Sequence, residues 1–186
     1  MQTLSKKICL VGDYAVGKTS LIRRFVDRQF SDRYLSTIGV KISRKSVALP
    51  TSDRYGDPSE PTTVQLLIWD VEGQTKFQRI AASYLQGASG AILVADATRL
   101  ETISHLGDHA GLMRSVSPGS IIILAINKID LLNDAEVAAL RTQADQLLAG
   151  HPFSVYWTSA KNGDCVDDIF LELSSAMIRP ASNRYV

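Results

Sequence analysis

Gly12-Asp13-Tyr14-Ala15-Val16-Gly17-Lys18-Thr19 brings together the residue types that can enclose a polyphosphate. The run has the pattern G-x-x-x-x-G-K-[ST], the phosphate-binding P-loop. Its glycines let successive backbone N–H groups turn toward one centre without Cβ interference. Lys18 offers a cation to the β- and γ-phosphates, and the Thr19 hydroxyl offers an oxygen to Mg²⁺. The motif needs a strand before it and a helix after it. Ile8-Cys9-Leu10-Val11 is a short apolar strand, and Thr19 to Val26 begins an amphipathic helix. The N-terminal dipole of that helix acts on the same anion site. A glycine-rich turn that binds nothing explains the glycines but not this context.

Asn127-Lys128-Ile129-Asp130 follows an apolar run ending at Ile126, which puts it at the carboxyl edge of a sheet. Ligands bind there in open α/β folds. An ionised Asp130 only accepts hydrogen bonds, so it suits the N1–H and exocyclic N2 amine of guanine. Adenine lacks that donor pair, and a buried acceptor left unmatched costs about 1–3 kcal/mol. Asn127 has two options, tying this loop to the P-loop or touching the purine. The alkyl stem of Lys128 can cover the base plane. Thr158-Ser159-Ala160-Lys161 follows a later strand in the same way, with the Ala160 N–H a candidate donor to guanine O6. A polar turn after a strand is the plain alternative for each tetrapeptide.

Trp69-Asp70-Val71-Glu72-Gly73-Gln74 completes the constellation. Asp70 ends an apolar strand and can hold Mg²⁺ through a water. Gly73 can bring its N–H against a γ-phosphate, and Gln74 can orient an attacking water. A strand-end carboxylate facing solvent accounts for Asp70 alone, but not for the Gly-Gln pair just beyond it.

Positioning these loops requires alternating strands and helices, which predicts an α/β fold with a mainly parallel sheet. Strands are predicted at about 6–11, 38–49, 63–70, 90–95, 121–126 and 153–157. The second and third can pair as a hairpin. Between them, 50–61 is rich in Ser, Asp, Gly and Pro and reads as an exposed loop. Helices are predicted at about 18–28 and 101–116, the latter weakened by Gly107 and Gly111. Asn133, three residues before Glu136, resembles a capping box and starts another helix. Gly150 and Pro152 supply its stop signal. The last helix carries Val166, Ile169, Phe170, Leu173 and Met177, and Pro180 ends it.

The chain of 186 residues reads as one domain, 1–186. A net charge of +1 excludes bulk attraction to nucleic acid or an anionic membrane. Two cysteines make no disulfide framework, so reduced thiols and a cytoplasmic setting are expected. Met1 to Lys7 lacks the apolar stretch of a signal peptide. No apolar run approaches the ~20 residues of a membrane span.

Taken together these segments resemble the Ras superfamily of small GTPases, most closely its Rab branch, from Lys6 to about Ile178. The P-loop, Asn-Lys-x-Asp and Ser-Ala-Lys elements are superfamily-wide. Thr37-Ile38-Gly39-Val40, Leu67-Ile68-Trp69-Asp70 and Ser83-Tyr84-Leu85-Gln86-Gly87-Ala88 give the Rab-like character. The resemblance implies a P-loop NTPase, small G-protein fold with a six-stranded, mostly parallel sheet flanked by helices. It implies GTP or GDP with Mg²⁺, held by Gly12, Asp13, Ala15, Val16, Gly17, Lys18, Thr19, Ser20, Phe30, Thr37, Gly73, Asn127, Lys128, Asp130, Ser159, Ala160 and Lys161. Thr19, Thr37 and Asp70 are the implied metal residues, and Gln74, Lys18 and Thr37 the implied catalytic ones. Phe30 looks like the aromatic that packs edge-on against guanine. Effectors and regulators would read switch I (30–40) and switch II (70–84). Trp69, Ile42 and Tyr84 serve either that surface or the packing of the sheet.

Four departures from the Rab pattern stand out. The tail from Ala181 to Val186 has no cysteine, so no lipid anchor is expected. This suits either a trimmed chain or a soluble relative such as the prokaryotic Rab-like GTPases, the preferred reading. Tyr14 stands where the family has a small residue, and its ring would crowd Gln74 and any arginine finger. Turnover is therefore expected to be slow, on the order of 10⁻⁴ to 10⁻³ per second. The 50–61 segment is longer than a tight hairpin and is either a tolerated insertion or a partner contact. Arg33, four residues before Thr37, does not match an in-cis catalytic arginine, so any activator is external. Two other readings compete: a nucleotide-gated binding module that scarcely hydrolyses GTP, and a P-loop kinase. The Asn-Lys-x-Asp and Asp-x-x-Gly-Gln runs disfavour the kinase.

The remaining departure is Glu72, where the family usually has alanine. A carboxylate about 5 Å from a phosphate charge is repelled by about 3 kcal/mol at an effective dielectric of ~20, before screening. Glu72 is therefore expected to bias the loop toward the GDP state, unless it is simply a solvated loop carboxylate. Glu72→Ala is expected to raise affinity for GTP relative to GDP in a competition titration. An unchanged ratio contradicts this role.

Overall fold

The computed structural model describes residues 3–31, 39–49, 62–71 and 78–179, without the side chains of 78–81. Six strands form one sheet in the order β2-β3-β1-β4-β5-β6. They are β1 (Thr3–Val11), β2 (Val40–Ala48), β3 (Thr63–Val71), β4 (Gly90–Asp96), β5 (Ile121–Asn127) and β6 (Ser154–Thr158). Only β2 runs antiparallel to its neighbour, β3, and Leu49 N–H donates to Thr62 O at 3.0 Å at the base of that hairpin. The other pairings are parallel. The α/β fold and the six-stranded, mostly parallel sheet are as anticipated.

The helices are α1 (Lys18–Asp27), α2 (Gln78–Leu85), α3 (Leu100–Ser104), α4 (Leu106–Val116), α5 (Asp134–Leu147) and α6 (Val166–Ile178). They cover both faces, which is why β4 and β5 are apolar throughout. Alternation along each strand divides the core in two. Ile8, Leu10, Ile92, Val94, Ile123 and Ala125 face α1 and α6. Cys9, Val11, Leu93, Ala95, Leu124 and Ile126 pack with Ile103, Met113 and Leu140 on the opposite side. Phe25 of α1 stacks on Phe170 of α6, centroids 3.9 Å apart and planes 7° apart. That contact fixes the helix that follows the P-loop.

Local differences from the sequence reading have physical causes. β1 begins three residues early, because the polar segment from Thr3 pairs residue for residue with β3. α1 ends at Asp27 with Arg28 left-handed at φ 58°, its N–H on Arg23 O. The predicted 101–116 helix is two helices meeting at His105, whose amide is shared between Glu101 O and Ile103 O. The break falls at neither glycine. β6 is shifted by one residue. The capping box is present, Asn133 Oδ1 accepting from Glu136 N–H at 3.0 Å and Glu136 Oε2 accepting from Asn133 N–H at 2.8 Å. α2 and the 3-10 turn Ile129–Leu131 had no sequence forecast.

The loops after β1, β3, β4, β5 and β6 all open at the carboxyl ends of parallel strands. One edge of the sheet thereby carries the P-loop, the 127–130 run and the 158–161 run. Among the described residues, no helix is long and apolar enough to cross a membrane.

Candidate functional site

Three devices hold the loop between β1 and α1 in shape. Gly12 lies so close to β4 that a Cβ there would sit 2.1 Å from Val94 O. Gly17, the N-cap of α1, has φ 100°, and a Cβ there would sit 2.3 Å from Asn127 Nδ2. Lys18 is buried and donates its ammonium to Gly12 O and Asp13 O, each at 2.8 Å. The cation is thus drawn over the loop's own carbonyls, at the head of α1. Ala15 adopts φ 61°, and Val16 is fully buried. The loop is a backbone cradle that side chains at either glycine would fill.

Thr19 is the second residue of α1, and its hydroxyl donates to Asp70 Oδ2 at 2.5 Å. Asp70 is 2% exposed near the end of β3. A buried carboxylate bonded to a hydroxyl beside a phosphate cradle is a hard-oxygen donor set, which fits magnesium. Among the described residues no group of three or more His, Cys, Asp or Glu is arranged to hold a metal ion. Magnesium sites commonly use one or two protein oxygens plus phosphate and water, so such a cluster is not required.

Asn127 joins three loops. Its Nδ2 donates to Val16 O at 3.0 Å, and its Oδ1 accepts from Ala160 N–H and from the Thr158 hydroxyl, each at 3.2 Å. Of its two sequence-derived options, the structure has the tie to the P-loop. The Ala160 N–H, the candidate donor to guanine O6, is here on Asn127. Asp130 Oδ1 accepts from Ser159 Oγ at 2.6 Å, which brings the two base-side tetrapeptides together. Lys128 is left-handed at φ 70°, and its Nζ reaches Asp96 Oδ2 at 2.6 Å. Its stem runs past Gly17, Cε lying 4.0 Å from the position of a Cβ there. Arg24 of α1 supports the last loop, Nε donating to Ala160 O at 2.8 Å and Nη2 donating to Lys161 O.

Asp96 was missed from the sequence, although it ends an apolar strand as Asp70 nearly does. It is buried, and burial alone would raise its pKa. Hydrogen bonds from Lys128 and Thr98 outweigh that and hold its carboxyl below the usual range. Arg99 adds Nε to Asp96 Oδ2 at 3.2 Å and donates Nη2 to Tyr14 O at 2.8 Å. His105 and His109 were also missed. Their ring nitrogens contact the two Asp13 carboxylate oxygens at 2.7 and 2.9 Å. Isolated histidines carry no periodic signal that would have linked them to the P-loop.

The remaining forecast residues have definite places or lie outside the described residues. Ser20 is half-buried in the first turn of α1, and Phe30 packs against the α1/α6 core. Thr37, Glu72, Gly73, Gln74, Arg33 and the 50–61 segment lie outside the described residues, as does the tail from Pro180. Tyr14 is 43% exposed on the rim of the P-loop. Trp69 and Tyr84 contact each other with centroids 6.3 Å apart, and Lys7 Nζ lies 4.0 Å above the Trp69 ring. Ile42, opposite Trp69 across the hairpin, is half exposed. Burial pushes the Cys9 thiol up to about 11, which makes it an inert core group.

A parallel sheet with a P-loop on its first strand and base-side loops on its last two defines a P-loop nucleotide-binding protein. The sequence matches the Ras family over residues 7–179. It is 36% identical to the Ras-related protein Rab-22A of Homo sapiens, over 90% of this chain and 81% of that protein. It is 32% identical to the GTP-binding protein ypt4 of Schizosaccharomyces pombe, over 92% and 71%. It is 35% identical to the GTP-binding protein YPTM1 of Zea mays, over 92% and 77%. The chain belongs to the Ras family, and its likeness is to the Rab members.

Gly17→Ala tests the cradle. Its Cβ must displace Asn127 Nδ2 and adopt a strained φ, costing about 1–3 kcal/mol. The urea midpoint is expected to fall accordingly, and an unchanged midpoint means the loops are not interlocked here.

Proposed function

We propose that the chain is a small GTP-binding switch protein that hydrolyses GTP to GDP and phosphate slowly, as one GTPase domain spanning 1–186. The observation that carries this reading is the joining of a P-loop to Asp130 through Asn127 and Ser159. Phosphates lie in the loop 12–19, against Lys18 and the N–H groups at the head of α1, with Ser20 behind them. The base lies between Lys128 and Phe30, and its N1–H and N2 amine donate to Asp130. Ala160 can release Asn127 and donate to O6, with Ser159 and Lys161 completing that loop.

Thr19 and Thr37 would hold magnesium, with Asp70 behind, and the ion when bound neutralises charge developing on the transferred phosphoryl group. The protein's own work is positioning. Lys18 is already desolvated, so its charge acts strongly on phosphate oxygens. Thr37 and Gly73 contact the γ-phosphate and order switch I (30–40) and switch II (70–84). Gln74 aligns a water in line with the bond that breaks. Loss of the γ-phosphate removes those contacts and relaxes both switches. Effectors and regulators would read the ordered segments, with half-exposed Ile42 beside Trp69 and Tyr84 at their margin. Recognition involves protein partners rather than nucleic acid, and the proposed setting is cytoplasmic.

A binding module with scant hydrolysis is the second reading, favoured by the exposed Tyr14 ring on the P-loop rim. Calorimetry with GTP, GDP and ATP, followed by single-turnover phosphate release, separates these readings. GTP and GDP are expected to bind and ATP not to compete. Release is expected on the order of 10⁻⁴ to 10⁻³ per second. Tyr14→Gly is expected to accelerate it, and an unchanged rate counts against crowding. ATP binding as tight as GTP overturns the guanine assignment.

A further inference from the structure

Asp13 is gripped from outside its own loop. His105 Nδ1 lies 2.7 Å from its Oδ2, and His109 Nε2 lies 2.9 Å from its Oδ1. The two histidines occupy the junction of α3 and α4 and the first turn of α4. The next residue, Tyr14, has its carbonyl held by Arg99, which immediately precedes α3. Asp13's own carbonyl accepts from Lys18 Nζ at 2.8 Å. One helical segment thus holds two consecutive residues of the P-loop.

We propose that His105 and His109 are positioning residues that close the P-loop over bound phosphate through Asp13, and that loss of the His105 proton loosens it and speeds nucleotide release. Protonation of an imidazole adds Coulombic attraction to the hydrogen bond that it donates to a carboxylate. A protonated imidazole therefore grips the Asp13 carboxylate harder than a neutral one, which still donates one N–H. Burial raises the Asp13 pKa, but hydrogen bonds from His105 and His109 outweigh it and hold the carboxyl below its usual range. The Asp13 hydrogen bond raises the His105 pKa above its ordinary 6.5; burial opposes it, and the charges of Asp13, Asp108 and Glu101 add to the rise. The sign follows from these directions. The ion pair is intact below the raised His105 pKa, fades as pH rises through it, and fails on the acid side only below the depressed carboxylate range.

Other charges on the packed elements do not substitute for this pair. On β4, Asp96 is engaged by Lys128 and Arg99. Helix α2, which packs on α4, carries Arg79 in its sequence, and α5, which packs on α3, carries Asp134, Glu136, Arg141 and Asp145. Arg114 of α4 lies over the Phe153 ring. The two histidines meet the Asp13 carboxylate, and among the described residues no cluster is arranged around a metal.

The proposal rests on the phosphate-site reading above. The test follows release of a fluorescent GDP from the full chain between about pH 6 and about pH 8, where an imidazole titrates. The wild type is compared with the double variant His105→Asn, His109→Gln, whose amides place non-titrating donors near the original nitrogens. Wild-type release is expected to accelerate about three- to tenfold with rising pH, a modest effect because His105 is 49% exposed. The variant is expected to give a flat profile with an unchanged circular-dichroism spectrum. NMR titration of the His105 ring should place its pKa above 6.5, and lower than in the wild type after Asp13→Asn. Equal pH dependence in wild type and double variant overturns the proposal while leaving nucleotide binding intact. No GDP binding by the wild type at any pH overturns the phosphate-site reading itself.

Discussion

The candidate site depends on the Asn127 side chain. It is the one group among the described residues that bonds to the P-loop, to the end of β6 and to the loop beyond β6. An amide suits this place because it donates at one end and accepts at the other. An aspartate could not donate to Val16 O, and a leucine would leave Val16 O, Thr158 Oγ1 and Ala160 N–H without their Asn127 partner in a dry interior. Asn127 is 1% exposed, so none of these groups turns to water cheaply. Gly17 completes the fit, because any side chain there would occupy the space of the amide nitrogen.

Around this joint the charges are satisfied in a layered way. Lys18 is held by carbonyls of its own loop, so it stands buried and oriented with little reorganisation left to make. Asp96 takes Lys128 on one side of the base loop, and Arg24 holds the backbone beyond Ser159 on the other. The stacked Phe25–Phe170 pair locks α1 to α6. The fold supplies a rigid sheet edge, and the loops supply the chemistry.

Legibility in the sequence followed physical cause. β4 and β5 could be read because strands covered on both faces must be apolar throughout. The P-loop and Asn-Lys-x-Asp run could be read because their function constrains residue type at fixed spacing. The start of β1 could not, since its polar residues are held by pairing with β3 and not by burial. The left-handed Arg28 and the helix break at His105 carry no local composition signal, and both side chains pair with distant residues, Asp167 and Asp13. The same holds for the grip on Asp13, made by residues more than ninety positions away. Asp96 was legible in principle, as a carboxylate closing an apolar strand, by the argument already applied to Asp70.

The central claim is that base recognition and phosphate binding are one mechanical unit joined at Asn127. Inorganic pyrophosphate with magnesium offers the proposed phosphate loop a ligand without a base, so its affinity for wild type and Asn127→Ala, followed by phosphorus NMR beside that of GDP, measures the joint directly. The account predicts that Asn127→Ala weakens both ligands, by about tenfold or more, as the loss of a buried hydrogen bond implies. Pyrophosphate bound as tightly as before, with only GDP affected, would show that Asn127 serves the base alone.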